Sequence, residues 1–311
     1  MSRPHPFAVF GFAALMATCL PAQARNLEVG PDKEFKQPSA AITAASAGDH
    51  VQIAAGEYFD CATVSASNVV IEGMAPDAAA TLTDKACGGK ALLITTGNDI
   101  TVRNLTLTRA RVPDGNGAGI RGEGTNLTVE GVKFINNQNG ILAGGTPEST
   151  ITVRDSTFLR NGACTGSCSH GIYVGEIKLL HVQHSTFFET KIGHHVKSRA
   201  LRTEVIDCDI QDGEQGSSSY LIDIPNGGSL LARGNKLEKG PHSDNPSMAI
   251  AIGEEGVTHP TRELLIEKNS FRNDTGRNTI FVNNLTATEA MLTGNTITGQ
   301  VKALQGDGQV K

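Results

Sequence analysis

A short β-rich segment ending in a large apolar residue recurs eight times along this chain, and a chain that repeats itself in this way has few architectures open to it. The segments run from Ile100 to Leu107, Leu127 to Phe134, Ile151 to Phe158, Leu180 to Phe187, Thr203 to Ile210, Leu230 to Leu237, Leu264 to Phe271 and Ala290 to Ile297. Their last apolar residues follow one another at intervals of 23 to 34 residues. A unit this short cannot bury its own apolar face. Neighbouring units must stack, and strand alternating with turn, without a helical period, means a β-solenoid. The 35 glycines and the absence of tryptophan among 311 residues suit a chain that turns often.

A second strand follows the first in each repeat, marked by Ile120, Ile141, Ile172, Val196, Ile222, Ile250 and Ile280. Side chains alternate across a strand, so these residues are expected to stack inward as a ladder while their followers face out. The outward column then reads Arg121, Leu142, Tyr173, Lys197, Asp223, Ala251, Phe281. Asn104, Asn235, Asn269 and Asn295 fall at the turn between strand pieces, where Asn accepts unusual backbone angles and its amide can bond the next coil. Ahead of the coils, Ser39 to Ala47 reads as a short Ala-rich helix after Pro38, placed to cover the open strand edges at the solenoid end.

The stretch from Ser39 to Tyr58 resembles the opening segment of pectate-lyase-like proteins. The resemblance implies an all-β fold, a single-stranded right-handed parallel β-helix (β-solenoid) with an N-terminal helical cap. Residues 25–311 would form one domain, with 25–60 supplying the cap and first strand. This superfamily includes polysaccharide lyases, glycoside hydrolases, uronan epimerases, esterases and non-catalytic adhesins, so function has to be argued from a site.

Residues 1–24 have the three parts of a secretory signal peptide: Arg3, an apolar run from Phe7 to Leu20, and Ala22-Gln23-Ala24 before the cleavage point. The run is too short to span a bilayer. A secreted or periplasmic product follows, with no membrane span, expected to be a monomer. Removing Arg3 from 27 basic residues leaves 26 against 32 acidic, a net charge of −6, which argues against a nucleic-acid partner. Cys19 leaves with the leader. The other five cysteines, in an oxidising compartment, allow Cys61–Cys87 and Cys164–Cys168 bridges with Cys208 alone.

The centre of the outward column is chemically dense. Alternation along the Lys197 strand is expected to put His195 and Arg199 on the same outer face, beside Tyr173 and Asp223 on the flanking coils. His170 and His194 lie at the strand entrance and are expected, with Arg121 and Asn226, to bind substrate. Between Thr190 and Thr203 the chain carries Lys191, Lys197, Arg199 and Arg202 and no acid. Such a basic strip on a flat face suits an acidic polysaccharide whose carboxylates need neutralising.

β-Elimination of a uronan requires neutralisation of the carboxylate, a base for the C5 proton and an acid for the leaving oxygen. Lys197 is the expected base, its ammonium discouraged by Arg199 and a protonated histidine, and the fork-shaped Arg199 is the expected neutraliser. His195 as base with Tyr173 as acid is the competing assignment. The run His194-His195-Val196-Lys197-Ser198 is also similar to the basic strand of the alginate lyase and chondroitinase B family, where a Lys-Ser pair supplies the base. That family tends to place an arginine on the next coil. Here Asp223 stands there, either orienting Lys197 or a histidine or helping to bind Ca2+, an ion that needs six to eight oxygens. Hydrolysis would need two carboxyl groups at a set separation, for which Asp207, Asp209 and Asp212 are the available cluster. The expectation is a polysaccharide lyase. A non-catalytic polysaccharide- or envelope-binding solenoid and a uronan epimerase are the alternatives.

Overall fold

Each coil contains three strands, because a residue with left-handed backbone bends the segment that reads as one strand into two. Ile100–Arg103 and Leu105–Thr108 flank Asn104, whose φ is 55°. On later coils the same place is held by Gly131, Asp155, His184, Asp207, Gly234, Lys268 and Gly294, all with φ between 48° and 69°. Left-handed backbone is costly for most side chains, so its recurrence once per coil marks a corner that stacking imposes.

The computed structural model describes Met1 and residues 23–75, 79–166 and 168–311. The leader expected at residues 1–24, Cys19 included, lies outside the described residues apart from Met1, Gln23 and Ala24. The strands assemble into one sheet of 12 and two of 10, every strand pairing in parallel with its counterpart one coil away. No helix among the described residues is long and apolar enough to cross a membrane.

Three internal ladders fill the coil. Val102, Val129, Val153, Val182 and Val205 are neighbours in the first sheet. In the second, Phe134, Phe158 and Phe187 stack at centroid distances of 4.6 and 4.4 Å. The expected ladder in the third runs Ile120, Ile141, Ile172, Val196, Ile222, Ile250, but its next rung is Val282 and not Ile280. Asn283, not Phe281, therefore continues the outward column, and Phe281 is buried against Phe271.

The residue just before each rung of the third sheet also points into the core, because it sits at the corner where the alternation begins. A Cβ on Gly119 or Gly140 would lie 2.7 Å from the ring of Phe134 or Phe158. Glycine stands at that corner beside Phe134 and Phe158. After Phe187 that row changes to Ile210, and the corner then accepts a side chain: His195, Leu221, Ala249 and Phe281 follow, and all four are buried.

The asparagine corner is a relay. Cys208 N–H donates to Asn235 Oδ1 at 2.9 Å, Asn235 N–H to Asn269 Oδ1 at 3.0 Å, and Asn269 N–H to Asn295 Oδ1 at 3.0 Å. Asn104 lies one place earlier in its coil and supplies the left-handed backbone instead. At the N-terminal end the chain first enters the 12-stranded sheet as Asn26–Val29, and the helix Pro38–Ala44 then buries Pro38, Ala41 and Ile42 over the open coil. Cys61–Cys87 and Cys164–Cys168 are bridged and Cys208 is free and buried.

Candidate active site

Parallel register brings the chemistry together. Tyr173 on Ile172–Val174, Lys197 on Val196–Ser198 and Asp223 on Ile222–Ile224 are successive neighbours on the outer face of the third sheet. Adjacent coils lie ~4.8 Å apart, so side chains from three coils can meet without any loop having to carry them.

Lys197 Nζ donates to Asp223 Oδ2 at 2.7 Å and to Glu255 Oε1 at 2.6 Å. Arg199 spreads over three partners: Nε donates to Tyr173 Oη at 2.9 Å, Nη1 to Asn226 Oδ1, and Nη2 to Glu255 Oε2 at 2.5 Å. The Arg199 guanidinium carbon lies 5.7 Å and Lys197 Nζ 6.0 Å from the centre of the Tyr173 ring. The result is an alternating row of charge, Arg199–Glu255–Lys197–Asp223, with the Tyr173 phenol against Arg199.

Behind the cations, His170, His194 and Tyr220 form a stacked column on successive coils, with ring centroids 4.9 Å apart at both steps. Each ring nitrogen Nδ1 accepts the next coil's backbone N–H: His194 N donates to His170 and Tyr220 N to His194, both at 3.0 Å. An accepting Nδ1 fixes the neutral tautomer with its proton on Nε2, and His194 Nε2 lies 3.3 Å from Asp223 Oδ2. Burial, followed by the charge of Lys197, brings His170 down to about 3. Burial holds His194 well below the ordinary imidazole range. Burial raises the Asp223 carboxyl, with Lys197 pulling the other way.

Tyr173, Lys197, Arg199, Asp223, Asn226, His170 and His194 thus share one locality. Arg121 does not: Leu142 separates it from Tyr173 in the column, and its nearest acid is Glu123 at 3.5 Å. His195 is a correction. The strand begins only at Val196, so alternation does not extend to His195, which occupies the corner and is fully buried. There Nδ1 meets Thr190 Oγ1 at 2.9 Å and Nε2 meets Asp212 Oδ1 at 3.0 Å. Asp212 is consequently inside the coil while Asp207 and Asp209 are on its surface, so the three acids do not assemble as a hydrolytic pair. The basic strip also divides: Lys191 binds Asn136, and Arg202 pairs with Glu204 and Glu263.

Glu255 was not singled out by the sequence. It lies in the polar Gly253–Pro260 segment of the longest repeat, and only the fold of that insertion, with Glu255 N–H donating to Pro225 O at 2.9 Å, brings its carboxylate over the cations. The donor set does not fit Ca2+. Asp223 and Glu255 bracket the Lys197 ammonium, and among the described residues no three His, Cys, Asp or Glu side chains are grouped as metal ligands.

With this geometry in hand, comparison with known proteins gives the fold. The sequence profile described as right handed beta helix region matches residues 58–210. The chain is a right-handed parallel β-helix. An alginate lyase from Paenibacillus sp. str. FPU-7 superposes on this β-helix with a TM-score of 0.62 at 17% identity, over 91% of this chain and 99% of that one. Pectate lyase Pel9A does so with a TM-score of 0.53 at 12% identity, over 91% and 79%. No curated protein sequence matches the β-helix.

Proposed function

We propose that this protein is a secreted or periplasmic lyase that cleaves an acidic polysaccharide by β-elimination at the Tyr173–Lys197–Arg199 site. The observation that carries the reading is that Arg199 holds the Tyr173 phenol through Nε while its Nη2, with Lys197 Nζ, closes on a carboxylate. A uronate carboxylate bound at those two cations carries C5 directly on its carboxyl carbon and rests on the guanidinium that also holds the Tyr173 phenol. The likeness to an alginate lyase and a pectate lyase supports a uronan substrate. So does the open face of a sheet along which a polymer can lie across several coils.

The chemistry divides among the three side chains. Arg199 and Lys197 neutralise the carboxylate, which stabilises the carbanion-like state formed when C5 loses its proton. Tyr173, reacting as the phenolate held by the Arg199 Nε–H, takes that proton and becomes the phenol. The electron pair moves into the C4–C5 bond, the C4–O bond breaks, and Lys197 gives a proton to the leaving oxygen. With two carboxylates on its ammonium, Lys197 enters as a proton donor, the reverse of its expected part. Asp223 and, through it, His194 position the lysine.

Incubation with a panel of uronans tests this reading. Elimination leaves a C4–C5 double bond conjugated to the carboxylate, so ultraviolet absorbance rises as chain ends form. Solvent deuterium at C5 without that rise would identify an epimerase, and binding with neither change would leave a non-catalytic solenoid.

A further inference from the structure

Two cations of the site are joined by a carboxylate that belongs to the protein. Glu255 Oε1 lies 2.6 Å from Lys197 Nζ and Oε2 lies 2.5 Å from Arg199 Nη2, one oxygen to each cation. That is the arrangement a ligand carboxylate would adopt there. We propose that Glu255 occupies the site of a substrate carboxylate in the ligand-free protein, and that a uronate enters by displacing it. The inference rests on the uronan reading above and adds a competition to it.

Three further observations support displacement of the side chain alone. Lys197 is only 8% exposed and Arg199 24%, whereas the Glu255 side chain covering them is 46% exposed, so the cations are screened from the side on which Glu255 meets solvent. The backbone beneath is fixed: Gly253 N–H donates to Ile224 O and Glu255 N–H to Pro225 O, both at 2.9 Å, while Thr258 and His259 N–H both reach Asn226 O at 3.0 Å. Beside it, no atom beyond its chain neighbours lies within 4 Å of where a Cβ on Gly256 (φ +96°) would stand, so the loop tip next to Glu255 is open. Burial works to raise the Glu255 carboxyl, but hydrogen bonds from Lys197 and Arg199 outweigh it and hold the group below its ordinary range. At neutral pH competitor and substrate carboxylate are therefore both charged.

A competitor of this kind weakens apparent affinity by the fraction of time the site is open. If Glu255 closes it about nine-tenths of the time, ligand binds roughly tenfold more weakly than to an open site. Glu255→Gln keeps the shape and removes the charge. Titration calorimetry on the whole protein with a short oligouronate and with its methyl ester separates competition from loosened packing. The expected result is binding of the charged ligand tightened about tenfold by Glu255→Gln, and likewise by Glu255→Ala, with no gain for the methyl ester. Oligouronate affinity that is unchanged or weakened, or a gain shared equally by the ester, would overturn the displacement. Failure of the wild type and both variants to bind any uronate would instead remove the uronan reading, and this inference with it.

Discussion

His195 Nε2 lies 3.0 Å from Asp212 Oδ1, and neither side chain has any exposed surface. The pair, with Thr190, fills the corner that opens when the phenylalanine row gives way to Ile210. Burial opposes the Asp212 charge, yet its hydrogen bond with His195 prevails and holds the carboxyl below its ordinary range. His195→Ala removes the partner and leaves both a buried charge and a cavity. The expected cost is about 3–5 kcal/mol, read as a lower midpoint in denaturant. The folded fraction should keep its full turnover, and loss of turnover at unchanged stability would return His195 to the catalytic group.

Lys197 and Asp223 are coupled in the same way but at the surface of the coil. Lys197→Ala should reduce turnover by roughly 10²–10⁴-fold and also destabilise the fold. The cause is Asp223, which is almost fully buried and whose Oδ1 has no hydrogen-bond partner among the described residues even when the lysine is present. Adding Asp223→Asn should recover most of the stability and none of the activity. A double-mutant cycle that finds the two substitutions additive in stability would contradict this coupling.

The ladders and most of the outward column are legible in the sequence because a parallel solenoid repeats one environment per coil, so each side chain's neighbours can be read from its place in the repeat. The coil count is not: beside the eight repeats, Asn26–Val29, His50–Ile53, Val70–Gly73 and Gly308–Val310 join the same sheet and bring it to 12 strands. Tyr173, Lys197 and Asp223 were found that way. What failed were the places where the period is interrupted. His195 was placed outside by alternation, yet the corner precedes the strand and its occupant is set by the size of a side chain on the neighbouring coil. Phe281 was placed outside for a related reason, a two-residue shift of the last rungs that puts Val282 inward. Glu255 was missed because it arrives on an insertion, where no period applies and hydrogen bonds to Ile224, Pro225 and Asn226 decide the path.

Tyr173→Phe should separate proton transfer from binding. The phenol oxygen is an acceptor for Arg199 Nε, but the ring also lies against His170 at a centroid distance of 5.3 Å. Phenylalanine keeps that packing. Turnover should fall roughly 10²–10⁴-fold while oligouronate affinity and thermal midpoint stay near the wild-type values. A change confined to KM would mean that the hydroxyl only binds.

Phe158 stacks between Phe134 and Phe187, and Gly140 is kept free of a side chain so that its ring fits. Phe158→Ala should cost about 3–5 kcal/mol, because the two flanking rings cannot close the gap while strand pairing fixes the coil spacing. Equilibrium unfolding in urea measures it. A cost below about 1 kcal/mol would show that the coils collapse onto the vacancy.

Acid should weaken the fold, and one cause is the column behind the site. His170 and His194 are buried and neutral with folded values far below the ~6.5 of an unfolded histidine. As pH falls below that value the unfolded chain takes up protons that the folded chain refuses, so stability present at neutral pH is lost, by about 1.4 kcal/mol per pH unit for each histidine. Asp223 acts in the opposite sense. Its folded carboxyl is raised, so the folded chain takes up that proton first and regains part of the loss. Asparagine accepts the same backbone bond one coil earlier, where Asn139 Oδ1 takes the His170 N–H at 2.9 Å. The double variant His170→Asn, His194→Asn should therefore fold and should flatten the dependence of unfolding free energy on pH between pH 7 and 5. If the slope in that window were the same in both proteins, the column would not be the source of the acid sensitivity.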